Sequence, residues 1–351
     1  MLYPYKYPKA KIQQLQSFVN YIMLEVVLRA RKIPDPTFSV GLVIPKYEDI
    51  IRDVNTKYIF DPISDMYLDS KKLDRFHLKI LRKAVLENNR IEELCNGDSS
   101  PVRYNYLSSV FTQDFEKDML ENIKTFCSNL YKKCLSLAPI YKLFGNIKEY
   151  HDMVVQNDDR CHFCGNTSLV TMYEPMRNAF DHYLAKQTYP FVSVNFKNLV
   201  PVCYDCNSLY KKSKDVLMKG EKRVKAFYPY TNQSYSILVT IKFKKGKVFS
   251  ENLNPSDFDL KCTCKGYQEQ VDNWMRVYGI KKRFKAKCCT PTFKAYLAGI
   301  YDDVKIKGMS IDESLRHFEN NMNNDMNFLK VAFFKAALSS MDYSITAVGG
   351  N

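Results

Sequence analysis

Two short cysteine knuckles, Cys161-His162-Phe163-Cys164 and Cys203-Tyr204-Asp205-Cys206, bracket the adjacent pair Asp181-His182, and Asn207 directly follows the last thiol. A CxxC turn aims two thiolates at one ion, and two such turns have the ligand type and number of a closed tetrahedral zinc site. Four thiolates leave zinc no open position, so such a zinc is structural and the chemistry falls to other groups. A neutral imidazole near pH 7 accepts a proton from water. Carboxylate and amide oxygens bind a hard cation such as Mg²⁺. Asn207 is equally suited to capping the helix that it opens. In a strand, consecutive side chains point to opposite faces, so Asp181 and His182 serve one phosphate only where the strand ends or twists. The remaining histidines, His77, His151, His162 and His317, read as structural or exposed, with His162 aimed at solvent.

The elements that must position these groups follow from periodicity. Helical spacing of apolar residues runs through 9–32, where Ile12, Leu15, Phe18, Ile22, Val26 and Val27 form one face, and through 69–95, 113–136 and 138–155. Residues 1–156 therefore read as a helical region. The pattern changes at Asn157-Asp158-Asp159. Residues 169–172 and 178–184 read as two strands of a hairpin, 198–202 as an extended run into the second knuckle, and 207–215 as a short polar helix. Beyond 215 the chain reads as mixed, with strands at 236–243 and 247–251 hinged at Lys245-Gly246 and helices at 268–278 and 328–340. The predicted organisation is α+β: a helical region 1–156, a central domain 157–215, and a C-terminal α+β region 216–351.

The central residues resemble a known family. Asp181-His182-Tyr183-Leu184-Ala185-Lys186, Tyr189-Pro190, the run from Asn198 through Cys203-Tyr204-Asp205-Cys206-Asn207-Ser208, and Lys211-Lys212 are similar to the zinc-stapled HNH endonucleases, whose fold is the ββα-metal finger. The resemblance covers roughly 157–215. The third family position is His or Asn; here it is Asn207, as in the HNH domain of RNA-guided CRISPR nucleases. The resemblance implies that His182 is the general base, that Asp181 and Asn207 hold one catalytic Mg²⁺ or Mn²⁺, and that Asn198 braces the loop and orients the histidine. It also implies structural Zn²⁺ on Cys161, Cys164, Cys203 and Cys206. Lys211 and Lys212 read as phosphate contacts on the helix or as its solvated face. The flanks, Phe227-Tyr228-Pro229-Tyr230, Trp274 and Arg283, faintly resemble stand-alone HNH proteins of bacterial anti-phage defence loci.

Charge and composition agree with a polyanionic partner. The net charge is +14, and residues 197–294 hold 21 Lys plus Arg against 8 Asp plus Glu, an excess of +13 that accounts for nearly all of it. Hydrophobic content of 46% and aromatic content of 14% exclude a disordered chain. An odd count of 11 cysteines with two CxxC pairs favours metal ligation in a reducing compartment over disulfides. No signal core or bilayer-spanning apolar stretch is visible, so the expectation is a cytoplasmic protein with no membrane partner. The function expected is a metal-dependent endonuclease acting on nucleic acid, most simply DNA, in anti-phage defence. Two alternatives stand beside it: a non-catalytic zinc-finger binding module, and a nuclease subunit silent until an ATPase or other defence-system partner engages the helical region.

Overall fold

The computed structural model describes residues 1–247, 249–250, 252–322 and 324–348. Among them the architecture is α+β, as the sequence predicts. Helices dominate, and the strands pair in three antiparallel two-stranded sheets: β1 (Phe180–His182) with β2 (Leu199–Pro201), β3 (Met218–Lys219) with β4 (Lys222–Arg223), and β5 (Leu238–Phe243) with β6 (Phe258–Thr263). The chain divides into two compact units. One gathers residues 4–159 and 169–232; the other gathers 1–3, 160–168 and the chain from 233 onward. No helix of the described residues is long and apolar enough to cross a membrane.

The larger unit holds the N-terminal helices and the β1–β2 hairpin. Residues 11–32 wind continuously, but as 3₁₀, α, π and again 3₁₀ turns rather than as one α-helix. The helix expected over 69–95 is three: Phe60–Lys72, Arg75–Asn88 and Ile91–Asn96. The first break has a visible cause. Asp74 takes an extended conformation and accepts the His77 N–H at 2.8 Å, which caps a new helix. The stretch 138–155 likewise splits at Gly145, whose φ of +85° only glycine adopts readily, and Asn146 caps the next helix by accepting from Lys148 N–H at 2.7 Å. Phe18 packs at 5.0 Å from the Tyr47 ring and 6.3 Å from Phe126, which ties the first helix to Pro45–Asp53 and Asp114–Asn129.

Two expected strands are absent. Residues 169–172 form no strand, because side chains take their donors: Val170 N–H goes to Asn178 Oδ1 at 2.6 Å and Thr171 N–H to Glu174 Oε1 at 3.1 Å. The partner of β1 is instead β2, which begins after a loop of sixteen residues, 183–198. The described residues of 247–251 are not a strand either; β5 pairs with β6, whose Phe258, Leu260 and Cys262 are buried while Asp259, Lys261 and Thr263 are exposed. In this smaller unit Phe243, Phe258 and Phe293 gather around Phe333, at ring distances of 6.0–6.4 Å.

Candidate active site

The hairpin is minimal. Asp181 lies opposite Val200 and His182 opposite Leu199, and β1 ends at His182. The loop from 183 to 198 is closed by Asn198, which is fully buried. Its Oδ1 accepts the Leu184 N–H at 2.7 Å, and its Nδ2 donates to the Leu184 carbonyl at 3.0 Å and to the Val192 carbonyl at 3.2 Å. An apolar residue here would strip the Leu184 N–H and carbonyl of these partners and leave the Val192 carbonyl only its bond from the Asn195 N–H at 3.2 Å. Val192 immediately precedes Ser193, so this clamp fixes the segment on which His182 leans.

His182 Nε2 lies 3.0 Å from the Ser193 carbonyl. A carbonyl only accepts, so Nε2 carries the proton and Nδ1 holds the lone pair. Among the described residues Nδ1 takes no hydrogen bond. The Tyr131 ring stands edge-on to the imidazole, 4.3 Å between centroids. Burial foremost, with Lys186 and Lys211 nearby, holds the imidazole down to about 3 against the opposing Ser193 bond. The ring is therefore neutral at pH 7, the state a proton acceptor requires.

Asp181 turns to the other side and is buried. Its Oδ1 accepts from Lys211 Nζ at 2.8 Å, and the same ammonium donates to the His182 carbonyl at 2.8 Å. Burial pushes the Asp181 carboxyl up from its ordinary value, and the Lys211 charge opposes that push. Oδ2 is buried with no hydrogen-bond partner among the described residues. An uncompensated buried carboxylate oxygen is costly, and a cation is a group that would satisfy it.

The helix after the second knuckle, Asp205–Lys211, is π-wound, with Lys212 N–H bonding the Asn207 carbonyl at 2.8 Å. Asn207 lies inside it and makes no side-chain cap; its N–H donates to the Cys203 carbonyl at 3.1 Å. It sits one turn before Lys211 and so on the face that carries the Asp181 contact. Lys211 is not the exposed phosphate contact that the sequence allowed. It is 1% exposed, and its charge is spent on Asp181. Lys212 is exposed, with a positive φ of +53° and ψ of −123°, a conformation that only glycine adopts readily.

The four knuckle thiols come together. Cys161, Cys164, Cys203 and Cys206 are buried and unbridged, and their sulfurs all lie within 4.8 Å of one another. Tetrahedral zinc with bonds of ~2.3 Å needs sulfurs roughly 3.8 Å apart, so the donor set fits that ion. The Cys206 N–H donates to Cys203 Sγ at 3.5 Å, an amide–sulfur bond that favours the thiolate. The first knuckle is shaped by Gly165: its φ is +67°, and a Cβ there would meet Leu2 at 2.9 Å and Phe328 at 3.1 Å. Trp274 donates its indole N–H to the Phe163 carbonyl at 2.9 Å, which gives that tryptophan a structural place. His162, expected to face solvent, is buried, with its ring 4.3 Å from Tyr3.

Comparison with known proteins adds one relative. No family model matches the chain, and no solved structure matches it. The chain is similar to Protein ea31 of Escherichia phage lambda, with 31% identity over 133 residues. That stretch is 35% of this chain and 41% of the phage protein, so the chain spans less than half of that relative's length.

Two residues at the site have no signal in the sequence, and a third, Lys186, enters it only as the end of the family-like run from Asp181. Ser193 acts through a backbone carbonyl, which every residue possesses. Tyr131 lies in a π-wound turn, Leu130–Cys134, of the helical region in which no chemistry was visible. Lys186 stands with its ammonium 5.0 Å over the Tyr131 ring. The aromatic run after the hairpin is a buttress: the Tyr230 hydroxyl donates to the Leu199 carbonyl at 2.6 Å, and the Tyr183 hydroxyl donates to the Phe227 carbonyl at 2.6 Å.

Proposed function

We propose that the chain is a metal-dependent endonuclease of the HNH type that hydrolyses phosphodiester bonds in DNA. The observation that carries this reading is the Nε2 bond from His182 to the Ser193 carbonyl, which leaves Nδ1 as a lone-pair nitrogen on the residue that follows Asp181, whose Oδ2 is buried with no hydrogen-bond partner among the described residues. Strand, strand and helix follow in the order of a ββα finger, and Asn198 braces the loop between the strands. Structural Zn²⁺ would sit on Cys161, Cys164, Cys203 and Cys206. Mg²⁺ or Mn²⁺ would sit on Asp181 Oδ2 and the Asn207 amide oxygen, where it supplies charge stabilisation as the P–O bond breaks.

In this reading His182 Nδ1 takes a proton from the water whose oxygen forms the new bond to phosphorus. The P–O3′ bond breaks, and the leaving oxygen takes its proton from solvent. Lys211 holds Asp181 by Oδ1, so that Oδ2 is the oxygen presented. A role in defence, an ATPase partner and a cytoplasmic location rest on the sequence resemblance and its expectations.

One observation favours the second reading, a zinc-stapled module that binds and does not cut: Asp181 already has a buried cationic partner in Lys211. Plasmid cleavage with Mg²⁺ or Mn²⁺, wild type against His182→Ala, separates the two. Divalent-dependent nicking or linearisation lost in His182→Ala supports the nuclease. Cleavage undiminished in that variant sinks the assignment of the base. A folded, zinc-loaded wild type that binds DNA without cutting it leaves the binding module or a nuclease that awaits its partner.

A further inference from the structure

A cleft of about 280 Å³ opens between the helix that runs through 114–134 and the loop 183–198, and neither the metal ligands nor the hairpin account for it. Glu121, Lys124, Asn129, Lys132, Lys186 and Ser193 are among the residues lining it. Ser193 is shared with the candidate active site, since its carbonyl holds the imidazole. Tyr131 is the second link: one ring packs edge-on to His182 and lies beneath the Lys186 ammonium. The cleft and the proton acceptor are therefore built from the same two segments, the helix that runs through 114–134 and the loop 183–198.

The charges lining this space are unbalanced. Lys124 is paired with Glu121 at 2.9 Å. Lys132 and Lys186 have no carboxylate partner among the described residues, and Lys186 is half-buried. Burial first and the neighbouring Lys132 second press the Lys186 amine below its ordinary value, and both lysines line the same space. A negative group between them would relieve that repulsion. Asn129 and Gln187 add polar side chains to the rim. The volume lies below the roughly 300–1,000 Å³ of sites that enclose a drug-sized ligand, so the space suits a phosphate group and not a whole nucleotide.

We propose that this cleft binds one backbone phosphate of the nucleic-acid substrate, next to the phosphate under attack, with Lys132 and Lys186 as its cationic contacts. The inference rests on the nuclease reading and deepens it. It assigns the helical region a direct part in holding substrate, and it supplies the phosphate contacts that Lys211 does not.

The test is binding without turnover. In the full-length, zinc-loaded His182→Ala chain, fluorescence anisotropy with a labelled DNA duplex is measured across a salt series. Each phosphate contact contributes about one unit to the slope of log affinity against log salt. The Lys132→Glu/Lys186→Glu variant is expected to bind at least tenfold more weakly, with a slope smaller by roughly one to two units. The control is Lys79→Glu/Lys83→Glu, which makes the same change of net charge at exposed positions outside the cleft. Equal losses in both variants would mean that only net charge matters, and would overturn the proposal; so would an unchanged slope in the cleft variant. ATP or inorganic phosphate displacing the duplex at micromolar concentration would also overturn it, in favour of a small anion. Cleavage by the His182-containing protein is scored in parallel. Wild-type cleavage that the cleft variant reproduces with unchanged KM removes the cleft and leaves the nuclease reading intact, whereas undiminished cleavage by His182→Ala removes the reading itself.

Discussion

The Ser193 carbonyl accepts from His182 Nε2 at 3.0 Å, and Ser193 is itself anchored, its hydroxyl donating to the Cys127 carbonyl at 2.8 Å. The imidazole is thus aimed from a helix far away in the chain. His182→Gln keeps a donor for Ser193 and removes the proton acceptor. It is expected to melt within a few degrees of wild type and to lose about 10²–10⁴ in cleavage rate, as for removal of a general base. Thermal melts and single-turnover cleavage read the two effects separately. A variant that cuts at the wild-type rate would refute the role.

Lys211 and Asp181 form a buried pair, 1% and 3% exposed at the side chain. Removing one partner of such a pair strands the other, at a cost of roughly 3–5 kcal/mol. Lys211→Met is therefore expected to lower unfolding free energy by about that amount, and Lys211→Met/Asp181→Leu to recover much of it. Lys212→Gly, at an exposed position with φ of +53°, is expected to be neutral or slightly stabilising, because glycine adopts that conformation without strain. Urea unfolding of the variants measures both. Equal losses at 211 and 212 would contradict the burial argument.

The four clustered thiols were legible because two CxxC pairs are rare, and the residues of the proposed chemistry stand out for the same reason: Asp181 beside His182, and Asn207 after Cys206. What positions them was less legible. The stretch 169–172 has strand-like composition, yet Asn178 and Glu174 claim its backbone donors, and nothing local announces a side chain eight residues away. The long apolar stripes were read as single helices because periodicity survives a break; the caps at Asp74 and Asn146 are what interrupt them. Lys211 looked like any solvent-facing lysine. Its burial depends on where the hairpin meets the helix, a tertiary fact. β6 was missed although its alternation is clean, since Asp259 and Lys261 face outward and dilute the apolar signal.

Asn198 is the most loaded amide of the hairpin. Asn198→Ala removes bonds to Leu184 N–H, the Leu184 carbonyl and the Val192 carbonyl, all in a buried setting. Each unsatisfied group costs about 1–3 kcal/mol, and shared relaxation makes the sum smaller than the parts. A loss of about 3 kcal/mol is expected by chemical denaturation. Asn198→Asp should be worse, because a carboxylate oxygen would face two carbonyls. Wild-type stability in either variant would show that the loop does not depend on this clamp.

The thiol cluster predicts one zinc per chain. Atomic absorption on the purified protein should find it, and Cys203→Ser should lose it. Because a preformed site rarely exists in the unfolded chain, metal affinity adds to folding free energy, so chelation is expected to lower the melting temperature with a loss of helical circular dichroism. Cys262→Ser is the control: that thiol is buried but belongs to no such cluster among the described residues, and zinc content should stay unchanged. A zinc-free wild type with unaltered stability would exclude the structural metal.

Acid should destabilise the fold through its buried histidines. His182 is held at about 3 and His151 below its ordinary value, each chiefly by burial, whereas an unfolded histidine titrates near 6.5. Below pH 6.5 the unfolded chain therefore binds more protons than the folded one, so the neutral-ring contribution is complete above 6.5 and is lost as pH falls from there toward about 3. One proton of difference gives a slope of at most about 1.4 kcal/mol per pH unit. Urea unfolding at pH 7.5, 6.0 and 5.0 should show the decline, and His182→Gln, which cannot bind that proton in the unfolded chain, should show a shallower one. Carboxylates add their own dependence mainly at lower pH, so the difference between the two proteins isolates the imidazole. Parallel stability curves for wild type and His182→Gln across this range would mean that His182 is no more shielded in the fold than in the unfolded chain.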